Sequence, residues 1–231
     1  MSEGPDLSDF RGEARLFPLP GFVMFPHVKK MFHIFERRYR QLTVDALGSD
    51  QFITQVLLSP GWESDYEGKP KLEPIGCLAR IEQHTLFLDG RYNLMVRGLC
   101  RVRLEQEQLT STPYRIARVT ALPDALGPEV TGLREELKAA VRNRLGTQSP
   151  AWRAMEEQFQ PDRSLGMVVD TVSFYLPLRP DLKQELLAEL NVEQRGRRLL
   201  ALIQGDASNF ELGVSEEQAQ APRKRIEPSA N

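Results

Sequence analysis

The sequence predicts an α+β fold: a strand-rich half, built as a barrel or sandwich, followed by a small helical bundle. Two textures and one size argument carry that reading. Up to Leu122, apolar residues alternate in short runs broken by Gly, Pro and Asp, the period of half-buried strands. After Pro123 they recur at spacings of three and four, the period of amphipathic helices. With 231 residues and 41% hydrophobic content, the chain is also long enough to bury a substantial core.

The clearest strand pair lies in residues 85–96. Leu86 and Leu88 on one arm, and Tyr92, Leu94 and Val96 on the other, alternate around Asp89-Gly90. That dipeptide tolerates the positive φ of a tight hairpin turn. Residues 14–19, 52–58, 75–82, 100–105 and 114–122 supply further strands. One helix interrupts them: Tyr39, Leu42, Ala46 and Leu47 share a face that Gly48 ends.

In the helical half, Val130, Leu133, Leu137, Val141 and Leu145 form a stripe ending at Gly146. Leu165, Val168, Val169, Val172, Tyr175 and Leu176 form a second, closed by Pro177. Leu182, Leu186, Leu187 and Leu190 form a third, with Pro180 suited to its first turn. Asn191 and Gln194 predict a capping box for a fourth helix, whose apolar face is Leu199, Leu200 and Ile203 before Gly205. Four units follow: an N-terminal extension (1–12), a strand-rich subdomain (13–122), a helical subdomain (123–205) and a mobile tail (206–231) rich in Gln, Ala, Ser, Glu and Pro. The prolines and glycine of residues 122–128 mark the connector.

The charge is balanced, with 30 Lys+Arg against 32 Asp+Glu, and each part of the chain is close to neutral. Nucleic-acid binders normally carry a basic excess, because counterion release supplies much of their affinity, so nucleic acid is not favoured as a partner. Two cysteines exclude a disulfide scaffold. No run of 18 apolar residues predicts a membrane span, and the acidic start (Met1-Ser2-Glu3-Gly4-Pro5-Asp6) lacks the basic and apolar regions of a signal peptide. The expectation is a soluble cytoplasmic protein without a membrane partner.

The motifs of common chemistry are missing. There is no phosphate-binding Gly-x-x-x-x-Gly-Lys run, no Gly-x-Ser-x-Gly elbow and no His-Glu-x-x-His helix. His27, His33, His84, Cys77 and Cys100 show none of the short ligand pairs that mark zinc sites, and both thiols fall in the apolar phase of strands. Asp45, Asp170 and Glu185 could pair only if folding brings them together. The expectation is no catalytic residue, no metal and no cofactor.

Binding candidates remain. The loop of residues 59–70 carries Trp62 and Tyr66 among Glu63, Asp65 and Glu67. Large aromatics in such a loop either fold back onto the core or meet a protein partner. Phe22 and Phe25, between Gly21 and Pro26, come next, with a core role favoured for Phe25. Arg97, Arg101 and Arg103 are secondary candidates for an anionic ligand, set against the plainer reading that alternate arginines form a strand's solvent face. Glu36, Arg38 and Tyr39 read as structural: a carboxylate at a helix's positive end, a local pair and an inward ring.

Several segments together resemble the amino-terminal, substrate-recognition domain of Lon proteases. They are Leu16-Phe17-Pro18-Leu19 with Phe25-Pro26; His33-Ile34-Phe35-Glu36-Arg37-Arg38-Tyr39; and Gly76-Cys77-Leu78-Ala79-Arg80-Ile81. They continue through Asp89-Gly90-Arg91-Tyr92-Asn93-Leu94, Arg97-Gly98 and Arg101-Val102-Arg103 to Leu176-Pro177-Leu178, Lys183-Gln184-Glu185-Leu186-Leu187 and Val192-Glu193-Gln194-Arg195. The resemblance spans about residues 13–204. Lys30-Met31 and Arg37 stand where the family usually has leucine-proline and proline.

The resemblance implies a PUA-like β pseudo-barrel followed by an α-helical bundle. It also implies a non-enzymatic, adaptor-like module without the family's ATPase and peptidase domains. Its partners would be unfolded or exposed polypeptide segments, or a protease or chaperone complex, held in a groove between barrel and bundle. The alternative is RNA binding, known for PUA-like barrels in other proteins, which rests on fold analogy alone.

Overall fold

The computed structural model describes residues 6–66, 68–125 and 132–211. In chain order the first half holds β1 (Glu13–Leu19), β2 (Lys29–Ile34), α1 (Arg37–Leu47), β3 (Phe52–Leu57), β4 (Ile75–Leu86), β5 (Tyr92–Glu107) and β6 (Ile116–Leu122). The strands lie in the order β2-β5-β4-β3-β1-β6, and β6 also pairs with β5. Five strands therefore close a ring, with β2 attached outside it.

The length of β5 makes this closure possible. One of its edges pairs with β4 from Tyr92 to Arg103. The other pairs first with β2, from Tyr92 to Arg97, and then with β6, from Arg101 to Glu107. Register shifts at Leu78/Ala79, Ile81/Gln83 and Leu104/Gln106 add the local twist that lets a sheet curl. All pairings named are antiparallel except β1 with β3.

The hairpin around Asp89-Gly90 forms as the alternation predicts, with Gly90 at φ +79°. Its arms are longer than the sequence indicates: the runs at 75–82 and 100–105 are continuous with them in β4 and β5. Strand β2 was not among the sequence-based strands. Only Phe32 and Ile34 of its six residues are buried, too few to display alternation. At Gly98 the fold needs a residue without a side chain, since a Cβ there would lie 2.1 Å from the Phe25 carbonyl oxygen.

The second half holds α2 (Leu133–Leu145), α3 (Pro150–Glu156), α4 (Leu165–Tyr175), α5 (Pro180–Ala188) and α6 (Val192–Gln204). Four match the apolar stripes; Val130, placed on the first stripe, lies outside the described residues, as do connector residues 126–128. Helix α3 is the addition. Its seven residues are too short to show a period, yet Ser149 caps it by accepting from the Trp152 N–H at 3.0 Å, and Trp152 and Met155 are buried. The capping box of α6 is half made: Asn191 accepts from the Gln194 N–H at 3.0 Å, while the Asn191 N–H donates to Glu189 at 2.7 Å.

Barrel and bundle share one core. Phe25, Val28, Leu57, Ile75 and Leu122 from the first half pack with Leu137, Val169, Val172, Leu186 and Leu199 from the second. A separate cluster around Phe17, Phe32, Tyr39 and Leu42 seats α1 on the barrel. Both terminal segments contact the rest of the fold, which for residues 206–211 departs from the expected mobile tail. Phe10 packs edge-on against Phe52 at 5.6 Å, so part of the extension covers the barrel. Residues 206–211 are seated too: Phe210 packs on the bundle core with Arg144 over its ring at 3.8 Å, because an aromatic side chain there finds apolar area to cover. Residues 212–231 lie outside the described residues. No helix among the described residues is long and apolar enough to cross a membrane.

Candidate functional site

A cleft of about 230 Å³ opens at one end of the barrel, between the loop of residues 59–70 and the turn joining β5 to β6. It has room for one or two side chains of a visiting chain. Its walls are the rings of Tyr39, Tyr66 and Tyr114 with Pro18, Pro70 and Pro113; Arg38, Lys69 and Arg115 bring positive charge to it.

Each wall is held by a local reason. Tyr39 lies on the buried face of α1 and donates to the Pro18 carbonyl at 2.8 Å. Tyr66 follows a short 3-10 turn, Trp62–Asp65, and donates to Glu36 Oε1 at 3.2 Å. The other Glu36 oxygen takes the Arg38 guanidinium, with Nε at 2.9 Å. That guanidinium lies between two rings, 4.7 Å from the centroid of Tyr39 and 5.1 Å from that of Tyr66. Glu36 thus spends its charge on Arg38 rather than on the helix N-terminus, where it makes no side-chain cap. Tyr114 donates to Asp45 at 2.6 Å, and Arg115 pairs with Glu107 while donating to the Pro70 carbonyl at 2.7 Å.

Burial, then the nearby Glu36 carboxylate, pushes the Tyr66 hydroxyl up; burial, then the Asp45 hydrogen bond, pushes Tyr114 up to about 12. Both remain neutral donors at physiological pH. Arg38 and Arg115 each have a carboxylate partner, whereas Lys69 has no side-chain partner among the described residues. The cleft therefore combines aromatic and proline walls, an amine without a side-chain partner among the described residues, and the hydroxyls of Thr110 and Thr112. It can take an apolar or aromatic side chain and satisfy peptide groups at its rim.

The sequence candidates fall in different places. Tyr66 lines this cleft, and Trp62 stands half-buried behind it, its ring edge-on to Tyr66 at 5.5 Å. Phe25 is fully buried. Phe22 is half-buried and bridges barrel and bundle, edge-on to Phe32 at 5.3 Å and to Phe174 at 5.9 Å. The arginines do not act as a group: Arg97 is exposed and pairs with Glu82 at 2.6 Å, and Arg103 is exposed further along β5. Tyr114, Lys69 and the β5–β6 turn are the parts of the cleft that sequence reasoning missed; no motif links them, and only closure of the ring brings them to Tyr66.

Arg101 corrects the sequence reading most sharply. It is neither on a solvent face nor available to an anion, for its guanidinium is buried against Asp170 of α4, 2.6 and 3.0 Å away, with Asp124 at 3.2 Å. Arg195 of α6 completes the group, 2.8 Å from Asp124 and 3.0 Å from Asp170. Register explains it: Arg101 sits opposite Cys77 in the β4–β5 ladder, on the side of the strand that the bundle covers. The junction of barrel and bundle is packed and charge-paired at these residues, not an open groove.

No group of three or more His, Cys, Asp and Glu among the described residues could hold a metal ion. A family profile described as "ATP-dependent protease La (LON) substrate-binding domain" matches residues 13–205. Among curated proteins, a Lon protease of Chloroflexus aurantiacus is 30% identical over 196 residues, covering 80% of this chain and 22% of that protein. A Lon protease of Brevibacillus choshinensis is 25% identical over 211 residues, covering 87% of this chain and 26% of that protein. The chain thus spans about a quarter of the length of these relatives. Among solved structures, a Lon N-terminal domain protein from Xanthomonas campestris aligns with TM-score 0.61 and 24% identity, over 82% of this chain and 97% of that one. The N-terminal domain of a Mycobacterium avium complex Lon protease aligns with TM-score 0.64 and 18% identity, over 83% and 98%. These two likenesses speak to the fold.

Proposed function

The chain belongs to the family of Lon substrate-binding domains, and on that premise we propose that it is a non-enzymatic module that captures exposed or unfolded segments of other polypeptides. The observation that carries this is the cleft of Tyr39, Tyr66 and Tyr114, whose aromatic and proline walls suit an apolar side chain of a polypeptide, with the Lys69 amine at hand for its backbone. A client side chain packs between the tyrosine rings, and the Lys69 amine meets a client carbonyl or carboxylate. No bond is made or broken. The module acts as an adaptor in the cytoplasm, presenting clients to a protease or chaperone complex. In this reading the barrel (13–122) and bundle (123–205) are subdomains held rigidly together, so that the cleft keeps its shape.

Fluorescence anisotropy with labelled, reduced and carboxymethylated lactalbumin, an unfolded protein, tests the reading. Tyr66→Ala should weaken capture at least about tenfold, since roughly 1.4 kcal/mol is a factor of ten. Affinity should fall far less with salt than that of a nucleic-acid complex. A steep loss with salt, together with tighter binding to RNA, would favour the nucleic-acid alternative. Failure of the wild-type protein to capture the unfolded client at all would end the proposal.

A further inference from the structure

Ile81 is the last residue of β4 that belongs to the core. From Glu82 to Asp89 every residue is exposed, so the β4–β5 hairpin overhangs the barrel. Strand β3 covers the outer edge of β4 only as far as Arg80, and a bond from the Ile81 N–H to the Gln51 carbonyl, 2.9 Å, is the last along that edge. Beyond it, the only ladder partner of β4 among the described residues is β5.

The ladder fixes which backbone groups face outward. The Phe87 N–H donates to the Arg91 carbonyl at 2.9 Å, so residue 87 turns its polar groups toward β5. Antiparallel alternation then turns Thr85 and Gln83 the same way, and turns the N–H and C=O of His84 and Leu86 outward. No described residue bonds to those four groups.

Proteins usually blunt such an edge with lysine, proline or an inward charge. Here the edge is Gln83-His84-Thr85-Leu86, neutral or apolar but for the histidine, and it leads into exposed Phe87 and Leu88. Cations surround the overhang. Arg40 lies against Gly90 and Arg91 pairs with Asp89 at the hairpin tip, while Lys29 and Arg97 pair with Glu82 at its base. Four cations therefore stand against two carboxylates.

We propose that the free edge of β4 at residues 83–86 binds an extended polypeptide segment as an added antiparallel or parallel strand, one that carries apolar residues beside acidic ones. This rests on the reading that the chain captures polypeptides. The outward groups of His84 and Leu86 can exchange water for a backbone partner, Leu86, Phe87 and Leu88 offer apolar contact, and the surrounding cations complement acidic flanks. None of residues 83–86 lines the tyrosine cleft, so the edge is a separate surface. Phe35 leans toward the hairpin through His33, while Glu36 and Arg38 face the cleft.

The test compares His84→Pro with His84→Ala. Proline at this position removes an outward N–H and no ladder bond, so the hairpin can keep its pairing. Capture of labelled, reduced and carboxymethylated lactalbumin, which is acidic, should weaken at least tenfold in H84P and less than threefold in H84A. In the wild-type protein, hydrogen exchange of the His84 and Leu86 amides should slow when the client is added; this readout stands even if H84P folds poorly. If the wild type captures the client while those amides exchange at an unchanged rate, the strand proposal is overturned and the capture reading survives. Protection of the same amides at high protein concentration without client, with a dimer in sedimentation, would overturn it in favour of a second copy. Absence of capture by the wild type would instead remove the capture reading on which it rests.

Discussion

Arg101 of β5 grips Asp170 of α4 through two parallel contacts, Nη2 to Oδ1 at 2.6 Å and Nη1 to Oδ2 at 3.0 Å, with both side chains buried. The pair ties barrel to bundle in a direction that apolar packing alone would leave free. Arg101 also donates from Nε to the Leu187 carbonyl at 2.8 Å, so one side chain links β5 to both α4 and α5. Asp170→Asn should therefore cost about 3–5 kcal/mol, because it leaves two buried guanidinium groups, Arg101 and Arg195, with only the partly exposed Asp124 carboxylate. Urea unfolding checks it. Combining Asp170→Leu with Arg101→Met should cost less than the two single changes summed. Additive losses would show that the two residues do not act as a pair.

The tyrosine cleft makes a different prediction. Trp62 and Tyr66 lie in a loop without a buried residue in its 3-10 turn, so neither holds the core together. The double variant Trp62→Ala/Tyr66→Ala should weaken client capture at least tenfold yet cost about 1 kcal/mol of stability per ring or less. That corresponds to a fall of roughly 2–4 °C in melting temperature for each. A much larger fall would make the rings structural plugs and the binding loss indirect.

Two glycines separate crowding from backbone strain. At Gly98 a new Cβ meets the Phe25 carbonyl at 2.1 Å, and a main-chain atom inside a core cannot swing aside. Gly98→Ala should cost about 1–3 kcal/mol or more. At Gly61, φ is +89° and ψ 5°, the left-handed region, but nothing lies within 4 Å of the added methyl. Gly61→Ala should cost only the left-handed conformation, about 1–2 kcal/mol. Equal midpoints in urea for the two variants would refute the crowding argument.

Burial pushes both thiols up, Cys100 from 9.0 to about 11 and the fully buried Cys77 further still. The unfolded chain then loses its thiol protons first. Stability from these groups is whole below about pH 9 and falls as pH rises toward and through about 11. The urea midpoint should decline over that window, and Cys100→Ala should make the decline shallower. An unchanged slope in the variant would assign the alkaline loss to other groups.

Much of this architecture was legible because its causes are local. The Asp89-Gly90 turn, the α1 stripe ended by Gly48, the Pro180 first turn and the Asn191 cap each depend on residues within one or two turns of chain. The family motifs were legible for a related reason, since their order along the chain is itself the signal. Helix α3 escaped because it is too short to repeat its period, and strand β2 because only Phe32 and Ile34 of its six residues are buried.

The placement of charge was settled only by tertiary structure. Alternation counts every second residue of a strand as facing water, and by that rule Arg97, Arg101 and Arg103 are equivalent. In the fold they are not, because α4 and α6 bring Asp170 and Arg195, from 69 and 94 positions along the chain, over one of them. The open edge at His84 and Leu86 has the same origin. Its sequence reads as an ordinary strand, and it is left unpaired because β3 ends its pairing at Arg80, which no property of residues 83–86 could announce. Local periodicity determined what the elements are. Contacts between residues far apart in sequence decided which of their polar groups are buried, which are paired and which remain open to a partner, because that depends on what the rest of the chain places beside them.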